Sequence, residues 1–263
     1  MESNEVSALI NLLEDEDNQI STVAMQRLLE NEQETDKLIK KYQESSNPRL
    51  RNRIYQLGNV LRLRRKRSEF VQSAQNSSMS LWEGVVHINY LHNTDLSLES
   101  INDQLSQLSA RLPKRLSTVR LSSFMKQEDF SYSASDPMGA DLFLVDDVLK
   151  QRVGSPIILS VLARYLGRQS NWNSSIVLYR GKHCLIDANC NLIEPAENWK
   201  VTRLSKDDKL HPCTDKDIWL TVLSQLFLAS MLEGSLQSIH RVGSILCELC
   251  DADFQSLPYP LGS

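Results

Sequence analysis

The sequence predicts an α+β protein in which helices surround a small antiparallel sheet, and three observations carry that prediction. Apolar residues recur at three-to-four spacing from residue 4 to about residue 70. After Gly167 the texture changes to three short runs rich in Ile, Val, Leu and Tyr: "SSIVLYR", "KHCLIDA" and "CNLIEP". From Asp215 the helical pattern returns in "DIWLTVLSQLFLASMLEGSLQSIHRVGSILCELC". Helices, then a short series of strands, then helices is the order of an α+β fold.

The first segment, residues 1–75, groups its apolar positions as Leu9, Ile10, Leu12 and Leu13, then Val23, Met25, Leu28 and Leu29, then Leu38 and Ile39. Ser21 and Thr22 precede an apolar run and suit a helix cap, and Asn47 before Pro48 supplies another helix start, with proline at the first helical position. Paired short helices of this kind resemble HEAT-type repeats. Only about one and a half such units are visible, which predicts a helical cap and not a solenoid. The run "LRLRRKR" is the one dense basic cluster, with Arg62, Arg64, Arg65, Lys66 and Arg67. No aromatic residues interleave its arginines, so a base has nothing to stack on. The expected role is the solvated end of a helix, whose dipole favours cations, and not a nucleic-acid patch.

"QNSSMS", Gln75 to Ser80, is polar and turn-rich and marks a boundary. Two helices are expected in the stretch from Leu81 to Leu112, the second capped by Asp95 or Ser97 and striped by Leu105, Leu108 and Leu112. A short helix over Asp141–Gln151 and a buried one from Pro156 to Gly167 follow, with Gly167 suited to end the latter. The three apolar runs then form an antiparallel meander, with "ANCN" as a tight turn in which Asn tolerates positive φ. The core segment spans residues 81–205. Residues 213–255 read as an αα-hairpin of tetratricopeptide character, broken at Gly234.

The 263 residues are enough to bury a sizeable core, and their 41% apolar and 24% charged content is ordinary for a globular protein. A net charge of −4 gives no reason to expect a general nucleic-acid or membrane binder. No apolar run approaches the roughly 20 residues that span a bilayer. The N-terminus lacks the basic start and unbroken apolar stretch of a secretory signal. Five cysteines, odd in number and confined to the C-terminal third, do not form a disulfide framework, so a reducing cytoplasm is expected.

One stretch carries a resemblance: "SASDPMGADLFLVDDVLKQRVGSPIILSVLARYLGRQ". Here a Val-x-x-Val-Leu helix (Val145–Leu149) leads into Arg152-Val153-Gly154-Ser155-Pro156-Ile157 and an apolar helix. Gly181-Lys182-His183-Cys184-Leu185 and Glu194-Pro195 follow. In order and spacing this resembles the bacterial SirB-type transglutaminase-like proteins, over roughly Leu81 to Trp199. The resemblance implies a transglutaminase-like core related in fold to papain-type cysteine proteases. In active members a Cys at the start of the central helix attacks an acyl carbonyl, a strand His takes its proton and an acid orients the His. A helix N-terminus and a neighbouring imidazolium both lower a thiol's pKa. Mapped onto this chain, the His position is His183 and the acid position is Glu194. The Cys position falls on Pro156 or within one residue of it.

A proline ring has no nucleophile, and it suits the first turn of a helix for structural reasons alone. The substitutes for it are few. Ser155 lacks a Gly-x-Ser-x-Gly setting and reads as a helix N-cap. Cys184 follows His183 on a strand, so the two side chains should diverge, and Cys190 lies in a turn. His183, Cys184, Cys190, His211 and Cys213 carry zinc-competent atoms, but Cys247 and Cys250 form the only C-x-x-C, and that within a helical pattern. No metal or cofactor is expected. His183 has two readings: a retained piece of catalytic machinery held by Glu194, or a structural histidine bonding that carboxylate. The expected function is a non-catalytic module that binds a protein or peptide in a cleft lined by Arg152, Gly154, Ser155, Pro156, His183, Glu194 and Pro195. The alternative is a residual hydrolase or amidase that uses His183 and Glu194 with Ser155, Cys184 or Cys190.

Overall fold

The computed structural model of the chain describes residues 3–94, 96–133, 138–205 and 207–253. It divides into two compact units, Met1–Glu69 and Phe70–Ser263. Across the described residues no helix is long and apolar enough to cross a membrane.

The first unit is built from α1 (Ser3–Leu13), α2 (Asn18–Leu29), α3 (Glu32–Tyr42) and most of α4 (Pro48–Gln75). Leu9, Leu13, Ala24, Leu28, Leu38, Leu50, Ile54 and Leu57 pack as its core. Arg53 is buried in spite of its charge, because its guanidinium satisfies the end of α1. It donates to the carbonyls of Leu13 and Asp15 and to Asn18 Oδ1. One sequence expectation shifts here and one holds. Asp17, and not Ser21 or Thr22, caps α2; the two hydroxyls lie inside the helix and donate back to the Asn18 carbonyl. Asn47 caps α4 as expected, accepting from Arg49 N at 3.0 Å.

The basic run lies in the middle of α4, which continues to Gln75, so the helix-end explanation for its cations is corrected. Its charges are held by neighbours instead. Arg65 reaches Asp36 at 2.6 Å and Glu32 at 3.3 Å, Lys66 reaches Glu69 at 2.7 Å, and Arg64 donates to the Leu29 carbonyl.

The second unit contains α5 (Leu81–His92), α6 (Leu98–Arg111), α7 (Thr118–Gln127), a 3-10 turn at Ala140–Phe143, α8 (Val145–Gln151) and α9 (Pro156–Gln169). These are followed by the sheet, then α10 (Asp215–Leu232) and α11 (Leu236–Cys250). Ser80 and Glu83 form a reciprocal capping box on α5, and Thr214 and Asp217 do the same on α10. Ser97 caps α6 by accepting from Ser100 N; Asp95, the other candidate, lies outside the described residues.

Gly167 does not end α9. The helix runs on to Gln169, and the glycine is needed inside it because a Cβ there would stand 2.5 Å from the ring of Trp172. The expected helix over Asp141–Gln151 is broken in two, with its first turn 3-10 and its main body starting at Val145. Helix α7, with Leu121, Phe124 and Met125 buried, was not foreseen from the sequence.

The sheet has five antiparallel strands in the order β4-β3-β2-β1-β5: β1 (Ser174–Tyr179), β2 (Lys182–Asp187), β3 (Asn191–Glu194), β4 (Lys200–Arg203) and β5 (His211–Pro212). The three predicted runs are β1, β2 and β3. The edge strands were missed: they are two to four residues long and carry no buried side chain to signal them. The turn between β2 and β3 puts positive φ (59°) on Cys190 and not on an asparagine. Alternation divides the sheet cleanly. Ile176, Leu185 and Ile193 join the main helical core, while Val177, Tyr179, Cys184 and Leu192 form a separate apolar cluster with Ile186, Leu204 and Leu210. Ile218, Trp219, Val222, Val242 and Ile245 of α10 and α11 belong to the main core too.

Candidate functional site

Every residue of Arg152-Val153-Gly154-Ser155-Pro156 holds a joint between α8 and α9. Arg152 ends α8 in the left-handed conformation (φ 63°), and its amide closes on the Val148 carbonyl. Its guanidinium carbon sits 4.6 Å from the centre of the Phe130 ring. Burial lowers its pKa, and its Nη1 has no hydrogen-bond partner among the described residues.

Val153 bridges Ser131, whose amide donates to the Arg152 carbonyl and whose carbonyl accepts from Gly154 N. At Gly154 a Cβ would lie 2.8 Å from both γ-carbons of Val148, so only glycine lets the joint close over α8. Ser155 is buried and its Oγ accepts from Ile158 N at 3.5 Å, while its amide donates to the Leu142 carbonyl. Pro156 is the first residue of α9.

Phe130 ties this joint to Trp199, the residue before β4. Its carbonyl accepts from the indole Nε1 of Trp199 at 2.6 Å, and the Trp199 carbonyl in turn accepts from the Ser122 hydroxyl. Trp199 is fully buried, with φ at 57°. Asn89, also buried, accepts from Asp146 N at 3.0 Å and so holds the first turn of α8. Sequence reasoning missed Phe130, Trp199, Ser122 and Asn89. A tryptophan among the charged residues of "AENWKV" was the one available signal, since an indole in so polar a segment has no reason to be there unless it is buried.

His183 and Glu194 were expected to meet, and the register of the strands sends them apart. Leu185 pairs with Ile193 and Ile186 with Leu192, so His183 shares the Leu185 face, toward α9, and Glu194 shares the Leu192 face. Glu194 Oε1 accepts from Thr202 Oγ1 at 3.0 Å, and Thr202 is the partner of Leu192 in β4. Both readings of His183 that relied on Glu194 are therefore corrected. Among the described residues the imidazole has no hydrogen bond or ion pair, and burial alone lowers its pKa. The backbone carbonyl of His183 accepts from Ser160 Oγ of α9.

Cys184 is buried on the opposite face, where burial first and the Glu194 charge second push its thiol up to about 12. Cys190 and Cys250 are exposed, and Cys213 and Cys247 half-buried. Cys247 and Cys250 stand in α11 as the helical pattern indicated. Pro195 begins a 3-10 turn, Pro195–Glu197, that packs against α9.

The family model described as "Transglutaminase-like superfamily" matches residues 95–198, from just before α6 to the turn after β3. The chain thus carries a transglutaminase-like superfamily domain over those residues. No curated protein and no solved structure matches the chain.

Proposed function

We propose that the protein is a non-catalytic, SirB-type transglutaminase-like module that binds a protein or peptide beside the start of α9. The observation that carries this reading is Pro156 at the first position of a 14-residue helix, where a nucleophile would gain most from the helix dipole. The neighbouring groups offer no replacement. The Ser155 hydroxyl is buried and occupied as the α9 cap, and the Cys184 thiol is buried on the face away from His183. Acyl transfer needs a nucleophile within hydrogen-bond reach of a base and a third group to hold that base, and among the described residues the His183 imidazole bonds to neither. The imidazole, half-buried and unpaired on the α9 side, is instead free to meet an incoming amide or carboxylate.

On this reading the helices before residue 75 are HEAT-like, and the pair over residues 213–255 is tetratricopeptide-like and extends the recognition surface. The working compartment is the cytoplasm, and neither a metal nor a cofactor takes part.

The test is a displayed peptide library panned on the full chain, with intact-mass analysis after exposure to activated acyl esters. Convergent peptide sequences whose binding weakens in His183→Gln, with no acyl adduct on the protein, support the module. An adduct on any side chain, lost in His183→Gln, establishes a hydrolase instead. Absence of any convergent peptide ends the binding reading.

A further inference from the structure

The C-terminal half of α9 lines a cavity of about 520 Å3, shared with the start of α5 and with α6. It is remote in sequence from the Arg152–Pro156 joint and is lined by neither His183 nor Glu194. Its volume lies within the roughly 300–1,000 Å3 typical of small-ligand sites.

Leu81, Val86, Leu98, Ile101 and Val161 give it apolar walls. Trp82 and Tyr165, both in the lining, stack on one another with ring centres 4.3 Å apart and planes at 29°. Two guanidinium groups, Arg164 and Arg168, also line it, one helical turn apart on α9.

The charges are unbalanced within this lining. Arg164 gives one edge to Asp215, Nη1 to Oδ1 at 3.1 Å, while its Nε is buried with no hydrogen-bond partner among the described residues. Arg168 is exposed and has no acidic partner among them. Glu83 is the only acidic residue in the lining, and its carboxylate is spent on the Ser80 amide (2.9 Å) and hydroxyl (2.7 Å). Guanidinium forks match carboxylates in geometry.

We propose that this cavity binds a small organic carboxylate with a flat apolar body, its anion held by Arg164 and Arg168 and its body packed among the apolar walls beside the Trp82–Tyr165 stack. The pocket is independent of the peptide-binding reading, and each stands or falls alone.

The experiment is calorimetric titration of the full chain with 2-naphthoate, and with neutral 2-naphthamide as the uncharged control. Expected is saturable one-to-one binding of the carboxylate that Arg168→Gln weakens by about tenfold, the scale of one charge-assisted hydrogen bond. Asn102→Trp, on the exposed rim, is expected to abolish it by filling the mouth. The amide is expected to bind more weakly and to be indifferent to Arg168→Gln. Three outcomes overturn the proposal: no saturable binding, equal binding of acid and amide, or binding that both variants leave intact. Circular dichroism of each variant confirms that the fold is retained.

Discussion

Gly154 and Val148 are in closest approach at the joint between α8 and α9: a single carbon added to the glycine would come within 2.8 Å of both methyl groups of the valine. Gly154→Ala therefore overpacks a buried contact, which costs about 1–3 kcal/mol. Chemical denaturation should show a lower midpoint with an unchanged slope. The double variant Gly154→Ala/Val148→Ala should regain part of the loss, because the clash is with the valine side chain alone.

Trp199 and Phe130 supply a second measurable contact. Trp199→Phe keeps most of the apolar volume but leaves the buried Phe130 carbonyl without its donor. Leaving a buried acceptor unsatisfied costs about 1–3 kcal/mol. The loss should appear in thermal unfolding. If stability is unchanged, the indole hydrogen bond does not hold the joint to the sheet.

Thiol chemistry should sort by environment. Burial holds Cys184 as a thiol up to a pH of about 12, so it should resist alkylation at pH 8 while exposed Cys190 and Cys250 react. Peptide mapping after limited iodoacetamide treatment checks this. Rapid labelling of Cys184 in folded protein would contradict its placement.

Pro156→Cys tests the proposed non-catalytic reading directly. At the first position of α9 the new thiol should titrate below the ordinary cysteine value of about 8.5 and alkylate faster than Cys190 at pH 7. Acyl-ester turnover should still be absent, because Glu194 lies on the wrong face to orient His183. Turnover by this variant would mean that an acid is not required.

Acid sensitivity follows from two histidines. Burial lowers the pKa of His183; burial first and Arg241 second lower that of His92. A histidine whose folded pKa is depressed binds protons more readily when unfolded. Stability is therefore unaffected above the ordinary histidine value and falls as pH drops below about 6.5 toward the folded pKa. Unfolding midpoints from pH 8 to pH 5 should decline, and His183→Gln should flatten the decline. An identical slope in that variant would remove His183 from the account.

The sequence foretold what burial periodicity encodes and missed what it does not. Leu185 and Ile193 alternate with Cys184 and Leu192, so β2 and β3 were legible; β4 and β5, with no buried residue, were not. Ser155 and Asn47 were read as caps because the cap chemistry lies within three residues, and both hold. The His183–Glu194 pairing failed because motif order fixes which residues occur near one another but not which face of a strand each occupies. That depends on register, which a one-residue offset inverts. Gly167 was misread for a related reason: the Trp172 ring that demands it lies past the end of the helix.

The two borders of the sheet bear on how anything can be recognised there. On one side β5 is only His211–Pro212, and its proline has no amide hydrogen to offer; on the other, β4 carries Lys200 and Arg203. An extended segment from another molecule would find a two-residue edge at β5 and a four-residue edge carrying two cations at β4, both short for strand pairing. Intermolecular strand addition, and the fibrous association it invites, is thereby discouraged.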